Sequence, residues 1–176
     1  MKPLAGVALG LALPVAELSA IHRGALRRHF LALGAEDRRL RFGTPAGDDF
    51  LRAYVARIDF RRHSVFGVFD EALELAGVAH LARGDGDAEL GVSVLSGYRR
   101  RGIGGALLAR AVLRARNWGV RALFMHCLRE NGTVMHLARR QGMRIVTERG
   151  EADAWLALPP ADASSQLAVV ELFSGR

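Results

Sequence analysis

The stretch from Glu89 to Ala106, E-L-G-V-S-V-L-S-G-Y-R-R-R-G-I-G-G-A, constrains this chain more than any other. It reads as a strand, then a compact loop of arginine and glycine, then the start of an apolar helix. Gly102, Gly104 and Gly105 let the backbone come close to a ligand, while free N–H groups and the positive end of the following helix favour anionic oxygens. Arg99, Arg100 and Arg101 add full charges at the same place. The segment therefore predicts a phosphate-binding loop. It is not the loop of nucleotide hydrolases, since no Gly-Lys-Ser/Thr follows, and it lacks the first glycine of the dinucleotide pattern G-x-G-x-x-G.

The elements around this loop fall into a mixed order. Gly6 to Val15 is short and apolar and predicts a first buried strand ending at Pro14. From Leu18, residues Ile21, His22, Ala25, Leu26, His29, Phe30 and Leu33 recur at helical spacing, and Gly34 stops the helix. Ala35 to Gly43 reads as a polar, Arg-rich link. After Thr44-Pro45, residues Phe50, Leu51, Tyr54, Val55 and Ile58 mark a second helix. Ser64 to Phe69 and Leu73 to Leu81 predict a hairpin turning at Asp70-Glu71, and Ala88 to Leu95 adds a third strand to the meander. Gly104 to Trp118 is a helix with Ala106, Leu107, Ala111, Val112 and Ala115 inward and with Arg110, Arg114 and Arg116 expected in solvent. Val120 to Leu128, a helix over Asn131 to Gln141, and strands over Arg144 to Thr147 and Ala152 to Leu158 complete the order βααβββαβαββ. The expected fold class is α/β (α+β): a mixed, mostly antiparallel seven-stranded sheet with helices on both faces. Residues 1–176 are expected to form a single domain, with 159–176 a loose tail or partner-dependent helix.

Composition narrows the partners. Half of the 176 residues are hydrophobic, which is globular rather than disordered composition. The formal charge of +7 rests almost wholly on arginine, Lys2 being the single lysine. That balance suits anionic partners, but Arg and Ala enrichment with so little Lys is also what a GC-rich genome produces. Nothing in the chain resembles a basic aromatic strand or a recognition helix, so nucleic acid is not an expected partner. The lone Cys127 excludes an internal disulfide, fits a reducing cytoplasmic compartment and reads as a buried strand residue. Met1 to Ala20 has the length of a signal peptide, but Lys2 is its only positive residue, and Pro14 and Glu17 interrupt it, so secretion is not expected. No run is long and apolar enough to span a membrane, and no His/Cys cluster has metal-ligand spacing, so neither membrane nor metal is expected.

At Arg99-x-x-Gly102-x-Gly104 the sequence resembles the GNAT superfamily, the Gcn5-related N-acetyltransferases, whose signature is Arg or Gln, two residues, Gly, one residue, then Gly or Ala. The segment Asn131-Gly-Thr-Val-Met-His-Leu137-Ala-Arg-Arg-Gln-Gly142-Met143 is similar to the family's downstream Asn, Leu and Gly-Phe pattern at the same spacings. The likeness covers roughly Val65 to Leu158. The run Arg38-Arg39-Leu40-Arg41-Phe42-Gly43 also resembles a segment in GNAT domains of bacterial protein acetyltransferases.

The resemblance implies acetyl-CoA as cosubstrate and a primary amine on a small molecule or on a protein lysine or N-terminus as acceptor; homodimers are common in that family, but no residue in the sequence marks an interface, and the oligomeric state stays open. It implies that the pantetheine arm lies between the strands Leu90 to Leu95 and Ala122 to Leu128. The backbone of Val92 and Val94 would bind it, with the Val94 N–H polarising the thioester carbonyl. Arg99, Arg100, Arg101, Gly102, Ile103, Gly104 and Gly105 would wrap the pyrophosphate. Asn131 would bond the pantetheine or order the strand end, or else serve as a helix N-cap. Glu89, ten residues before Arg99, is the expected general base, and an exposed carboxylate at a strand start is the plain alternative. His80 and His126 offer proton relays, although a lone strand histidine is usually a structural hydrogen-bonder. Ala138 stands where the family often has the Tyr that protonates the leaving thiolate. That departure keeps a second reading open, an acyl-CoA-binding regulatory module with little chemistry.

Overall fold

The computed structural model describes residues 13–167. Seven strands form one sheet: β1 (Ala16–Leu18), β2 (His63–Phe69), β3 (Leu75–Arg83), β4 (Asp87–Val94), β5 (Ala122–Leu128), β6 (Arg144–Glu148) and β7 (Glu151–Ala157). The spatial order is β1-β2-β3-β4-β5-β7-β6. Every neighbouring pair is antiparallel except β4 and β5, which run parallel. Five helices cover the sheet: α1 (Arg23–Ala32), α2 (Ala35–Phe42), α3 (Asp48–Arg57), α4 (Ile103–Asn117) and α5 (Gly132–Arg140). The seven-stranded mixed sheet with helices on both faces is the architecture that the sequence predicts.

Alternation along the strands sorts the core into two layers. Leu90 and Val92 of β4 and Leu123 and Met125 of β5 face α4, where Ile103, Leu107, Leu108 and Ala111 close over them. On the other side, Val65 and Val78 meet Leu26 and Phe30 of α1 and Leu51 and Val55 of α3. Gly77 of β3 belongs to the first layer because a Cβ there would lie 2.5 Å from the Ile103 Cγ2.

The structure corrects three expectations. The expected link Ala35 to Gly43 is helix α2, so the order is βαααβββαβαββ. Its only large apolar residues are Leu40 and Phe42, so it shows no apolar stripe. It is held instead by Glu36 and Asp37 in its first turn, Arg39 and Arg41 in its last, and the left-handed Gly43 at its end. The first strand is also displaced. Residues 6–12 of the expected strand lie outside the described residues, residues 13–15 are not in a strand, and β1 occupies Ala16–Leu18. Finally, Arg110 is not solvated. Its side chain is 3% exposed, stacked over the Phe66 ring and 3.6 Å from the Glu17 carboxylate. Arg114 joins the same carboxylate, tying α4 to β1. The expected tail falls partly outside the described residues, which end in a helical stretch at 163–167.

Candidate active site

The parallel pair β4 and β5 matches only Asp87, Ala88 and Glu89 with Ala122, Leu123 and Phe124. Beyond Glu89 the strands part: β4 continues along β3 and β5 along β7. The N–H of Leu95 bonds the Ala76 carbonyl on β3. Because bonding direction alternates along a strand, Val92 and Val94 turn their N–H and C=O groups the other way, into the gap. The Val94 carbonyl accepts from Arg99 Nε at 3.2 Å.

The loop after β4 ends at the mouth of this gap. Gly102 takes a left-handed conformation (φ 81°), which its missing Cβ permits, and leads into α4 with no side chain to cap it. The first hydrogen bond of α4 runs from the Ala106 N–H to the Gly102 carbonyl, and no acidic side chain occupies the first turn. The N–H groups of Ile103, Gly104 and Gly105 therefore lie free at the positive helix end. A Cβ at Gly105 would meet nothing within 4 Å, and one at Gly104 would sit 3.6 Å from Leu137 and 4.0 Å from Val94. Ile103 contributes its backbone only, since its side chain is in the core. Arg99, Arg100 and Arg101 are exposed beside the loop. Arg99 is pinned to Asp37 of α2 at 2.6 Å, and Arg101 lies over the Tyr98 ring.

Helix α2 crosses the mouth from one strand to the other. Besides Asp37–Arg99 on the β4 side, Arg39 pairs with Glu130 and the Leu40 carbonyl accepts from Asn131 Nδ2 beyond β5. Asn131 Oδ1 accepts the Val134 N–H at 3.2 Å, so Asn131 caps α5 and braces α2 at once.

Glu89 is exposed at the point where the strands separate, on the face that α1, α2 and α3 cover. The same face holds His80, an expected proton relay, and three side chains that the sequence did not single out as site residues, Arg41, Tyr54 and His63. Arg41 Nη2 donates to Tyr54 Oη at 3.1 Å. Tyr54 Oη meets His80 Nδ1 at 2.5 Å, and His80 Nε2 meets His63 Nδ1 at 2.9 Å. Burial, with the charge of Arg41 adding to it, pushes His80 down to about 3. Burial likewise takes His29 down to about 4, against the bond that its ring makes with the Leu75 carbonyl. His29 also bonds the Ser93 hydroxyl at 2.8 Å. Both rings are neutral near pH 7, so the chain from Arg41 to His63 carries one cation at its inner end. On β5 the Phe124 ring stacks on Trp155, and His126 Nδ1 lies 2.7 Å from Asp153. Ala138 is fully buried in the core, and burial raises the Cys127 thiol.

Among the described residues, no helix is long and apolar enough to cross a membrane. Among the same residues no group of three His, Cys, Asp or Glu side chains could hold a metal ion.

The comparisons with known proteins agree with this geometry. No curated protein sequence matches the chain. Solved structures do, at the level of fold. The GNAT domain of S. lividans PAT superposes with a TM-score of 0.71 at 19% identity, covering 82% of this chain and 89% of that one. A phosphinothricin acetyltransferase from Sinorhizobium meliloti, solved with AcCoA, gives 0.65 at 16% identity over 85% and 95%. The ribosomal-protein-S18-alanine N-acetyltransferase of Escherichia coli gives 0.61 at 19% identity over 85% and 94%. The model of the acetyltransferase (GNAT) family matches residues 31–143. With that match spanning most of the chain, the gap between β4 and β5 and the free N–H groups of α4 belong to a member of the GNAT acetyltransferase family, an acetyl-CoA-dependent N-acetyltransferase.

Proposed function

We propose that the chain transfers the acetyl group of acetyl-CoA to a primary amine by direct attack, with the amine entering from the face that carries Glu89, Tyr54 and Arg41. One observation carries the reading: β4 and β5 part immediately after Glu89, leaving strand-edge N–H groups at Val92 and Val94 that end at an uncapped helix N-terminus. An extended pantetheine arm pairs with such an edge as an added strand would, and a pyrophosphate suits the helix end. The open space at Gly105 and the exposed arginines 99–101 support the fit.

In this reading the N–H groups of Ile103, Gly104 and Gly105 hold phosphate oxygens, with Arg99 to Arg101 supplying charge. The Val94 N–H stabilises the negative charge that grows on the thioester oxygen. The amine lone pair forms the new C–N bond as the C–S bond breaks. Five residues of strand separate Glu89 from Val94, about 16 Å at the usual rise, so Glu89 accepts the amine proton through water rather than directly. The thiolate needs no acid at Ala138, because it is a fair leaving group and water can protonate it. Asn131 holds the C-terminal end of β5 and α2 in place.

The reading is tested by incubating the protein with acetyl-CoA and a panel of small amines and lysine peptides, following free thiol release and the acetylated product by mass. Turnover that falls at least tenfold in Glu89→Gln without change in acetyl-CoA affinity is the expected result. Binding of acetyl-CoA with no turnover of any amine would instead favour the acyl-CoA-binding module.

A further inference from the structure

The acceptor face is electrically lopsided. On β4 the residues facing α1–α3 are Glu89, Gly91 and Ser93, and the guanidinium of Arg41 lies flat over Gly91. A Cβ built at Gly91 would be 2.0 Å from Arg41 Nη2 and 2.1 Å from its Cζ, so the glycine makes the space that this cation fills. Phe42 and Tyr54 close around it, with the Phe42 ring 4.8 Å away. Arg41 Nη2 has the Tyr54 hydroxyl, but Nε is buried without an acceptor. No carboxylate among the described residues lies within ion-pair distance of Arg41. The nearby acids Asp37 and Glu36 are taken by Arg99 and Arg39. A part-buried guanidinium lacking an anionic partner is poorly satisfied, and a planar carboxylate is the ligand that its fork fits best.

Carboxylates lie beside Arg41 on β4 and opposite it on the β5 side. Glu89 stands one alternation back along β4. His126, level with Gly91 on the diverging β5 if the Glu89–Phe124 register is continued, is backed by Asp153 at 2.7 Å and Glu151 at 3.9 Å. His29 and His80 are held neutral and do not compete with Arg41 for an anion. A cation on one side and acids on the other match a zwitterion, one molecule bearing a carboxylate and an ammonium.

We propose that Arg41 receives a carboxylate on the acceptor, and that the acceptor is a small α-amino acid rather than a protein lysine or N-terminus. This rests on the transferase reading above. Its dimensions agree with the strand. Gly91 and Val94 are three residues apart, about 10 Å. A bidentate guanidinium–carboxylate pair separates the two carbons by about 4 Å. The α-amine stands about 2.5 Å beyond by bond lengths, and attack begins about 3 Å from the carbonyl carbon. Those lengths together bring the amine of an Arg41-bound amino acid to a thioester held at Val94. A side-chain amine, four methylenes away, would overshoot.

The test supplies acetyl-CoA with the free amino acids, with the α-amide of each, and with an end-capped lysine peptide, to wild type, Arg41→Gln and Arg41→Lys. The expected result is a wild-type kcat/KM at least tenfold higher for the best amino acid than for its amide. Arg41→Gln brings that ratio to within twofold of one, Arg41→Lys restores part of it, and acetyl-CoA affinity by calorimetry is unchanged. Calorimetric binding of the N-acetyl amino acid product is lost in Arg41→Gln, a readout independent of turnover. If Arg41→Gln does not fold, the wild-type ratio and wild-type product binding decide alone. Equal wild-type use of amide and acid, acetylation of the capped peptide only, or an equal fall for both acceptors in Arg41→Gln overturns the proposal. Wild type that fails to bind acetyl-CoA overturns the transferase reading itself, which the calorimetric arm distinguishes from a wrong acceptor class.

Discussion

The two faces of the sheet are built by alternate residues of the same strands, yet they are different materials. Toward α4 the even residues of β4, Leu90 and Val92, join Leu107, Leu108, Leu123 and Met125 in an apolar layer whose buried charge, Arg110 of α4, is paired with Glu17 of β1. Toward α1–α3 the odd residues Glu89, Gly91 and Ser93 meet polar side chains: His29, bonded to Ser93, and the hydrogen-bonded series Arg41, Tyr54, His80 and His63. Apolar packing tolerates no change of volume but is indifferent to pH, whereas a buried polar network depends on the protonation state of each member. The α4 face thus holds the loop and the gap in place, while the opposite face carries the polar side chains that we propose recognise and deprotonate the acceptor.

If that contrast is right, damage to the two faces differs in kind. The largest effect is expected from Leu107→Ala on the apolar side. A fully buried leucine truncated in a packed layer costs about 3 kcal/mol, read by denaturant unfolding, with the same loss at pH 5 and pH 8.

The polar side responds to acid instead. The folded state keeps His29 neutral down to about pH 4 while the unfolded chain protonates near 6.5, so stability is complete above about pH 6.5 and is lost as pH falls toward 4. At pH 5 the loss from His29 is about 2 kcal/mol relative to pH 8. A flat stability profile over this window would break the comparison, and His29→Gln is expected to flatten it in part.

Gly91→Ala comes next. Its new methyl group displaces the flexible tip of Arg41 rather than backbone, so the protein folds while KM for the acceptor rises about tenfold, roughly 1.4 kcal/mol, with acetyl-CoA affinity unchanged. The smallest effect belongs to Asp37→Asn. Arg99 is 41% exposed in that ion pair, so stability shifts by less than about 0.5 kcal/mol, and acetyl-CoA affinity rises slightly as Arg99 is released to the phosphates. A large destabilisation there would mean that α2 is tied down by this pair rather than by its contacts at both strand ends.

The loop and sheet were legible in the sequence because each announces itself locally. Arg99 to Gly105 combines conformational need with charge, and the strands alternate or run apolar between glycines. Helix α2 was not legible by its apolar period, since Glu36 to Arg41 contains one apolar residue. The acidic first turn, basic last turn and trailing Gly43 were the signals that could have found it. The acceptor face was hidden for the same reason. Arg41 lies in a segment whose polar composition reads as a link, Tyr54 reads as one more core position of α3, and His63 meets His80 only once β2 and β3 pair. Gly91, a glycine inside a strand, marked a close approach that the sequence could not assign. Arg110 shows the limit of reading charge as exposure. Its aliphatic stem and ring contact bury it, and Glu17, far away in sequence, balances it.

The central claim is that the uncapped end of α4 and the gap beside β4 hold acetyl-CoA. Calorimetry of acetyl-CoA with wild type and with Gly105→Glu tests it most directly. The glutamate has open space and sits where a helix start welcomes a carboxylate, so the variant keeps its fold while repelling phosphate. The account predicts micromolar binding by wild type and a loss of about 100-fold in the folded variant. Failure of the wild type to bind acetyl-CoA, or binding equally tight in both proteins, would contradict it.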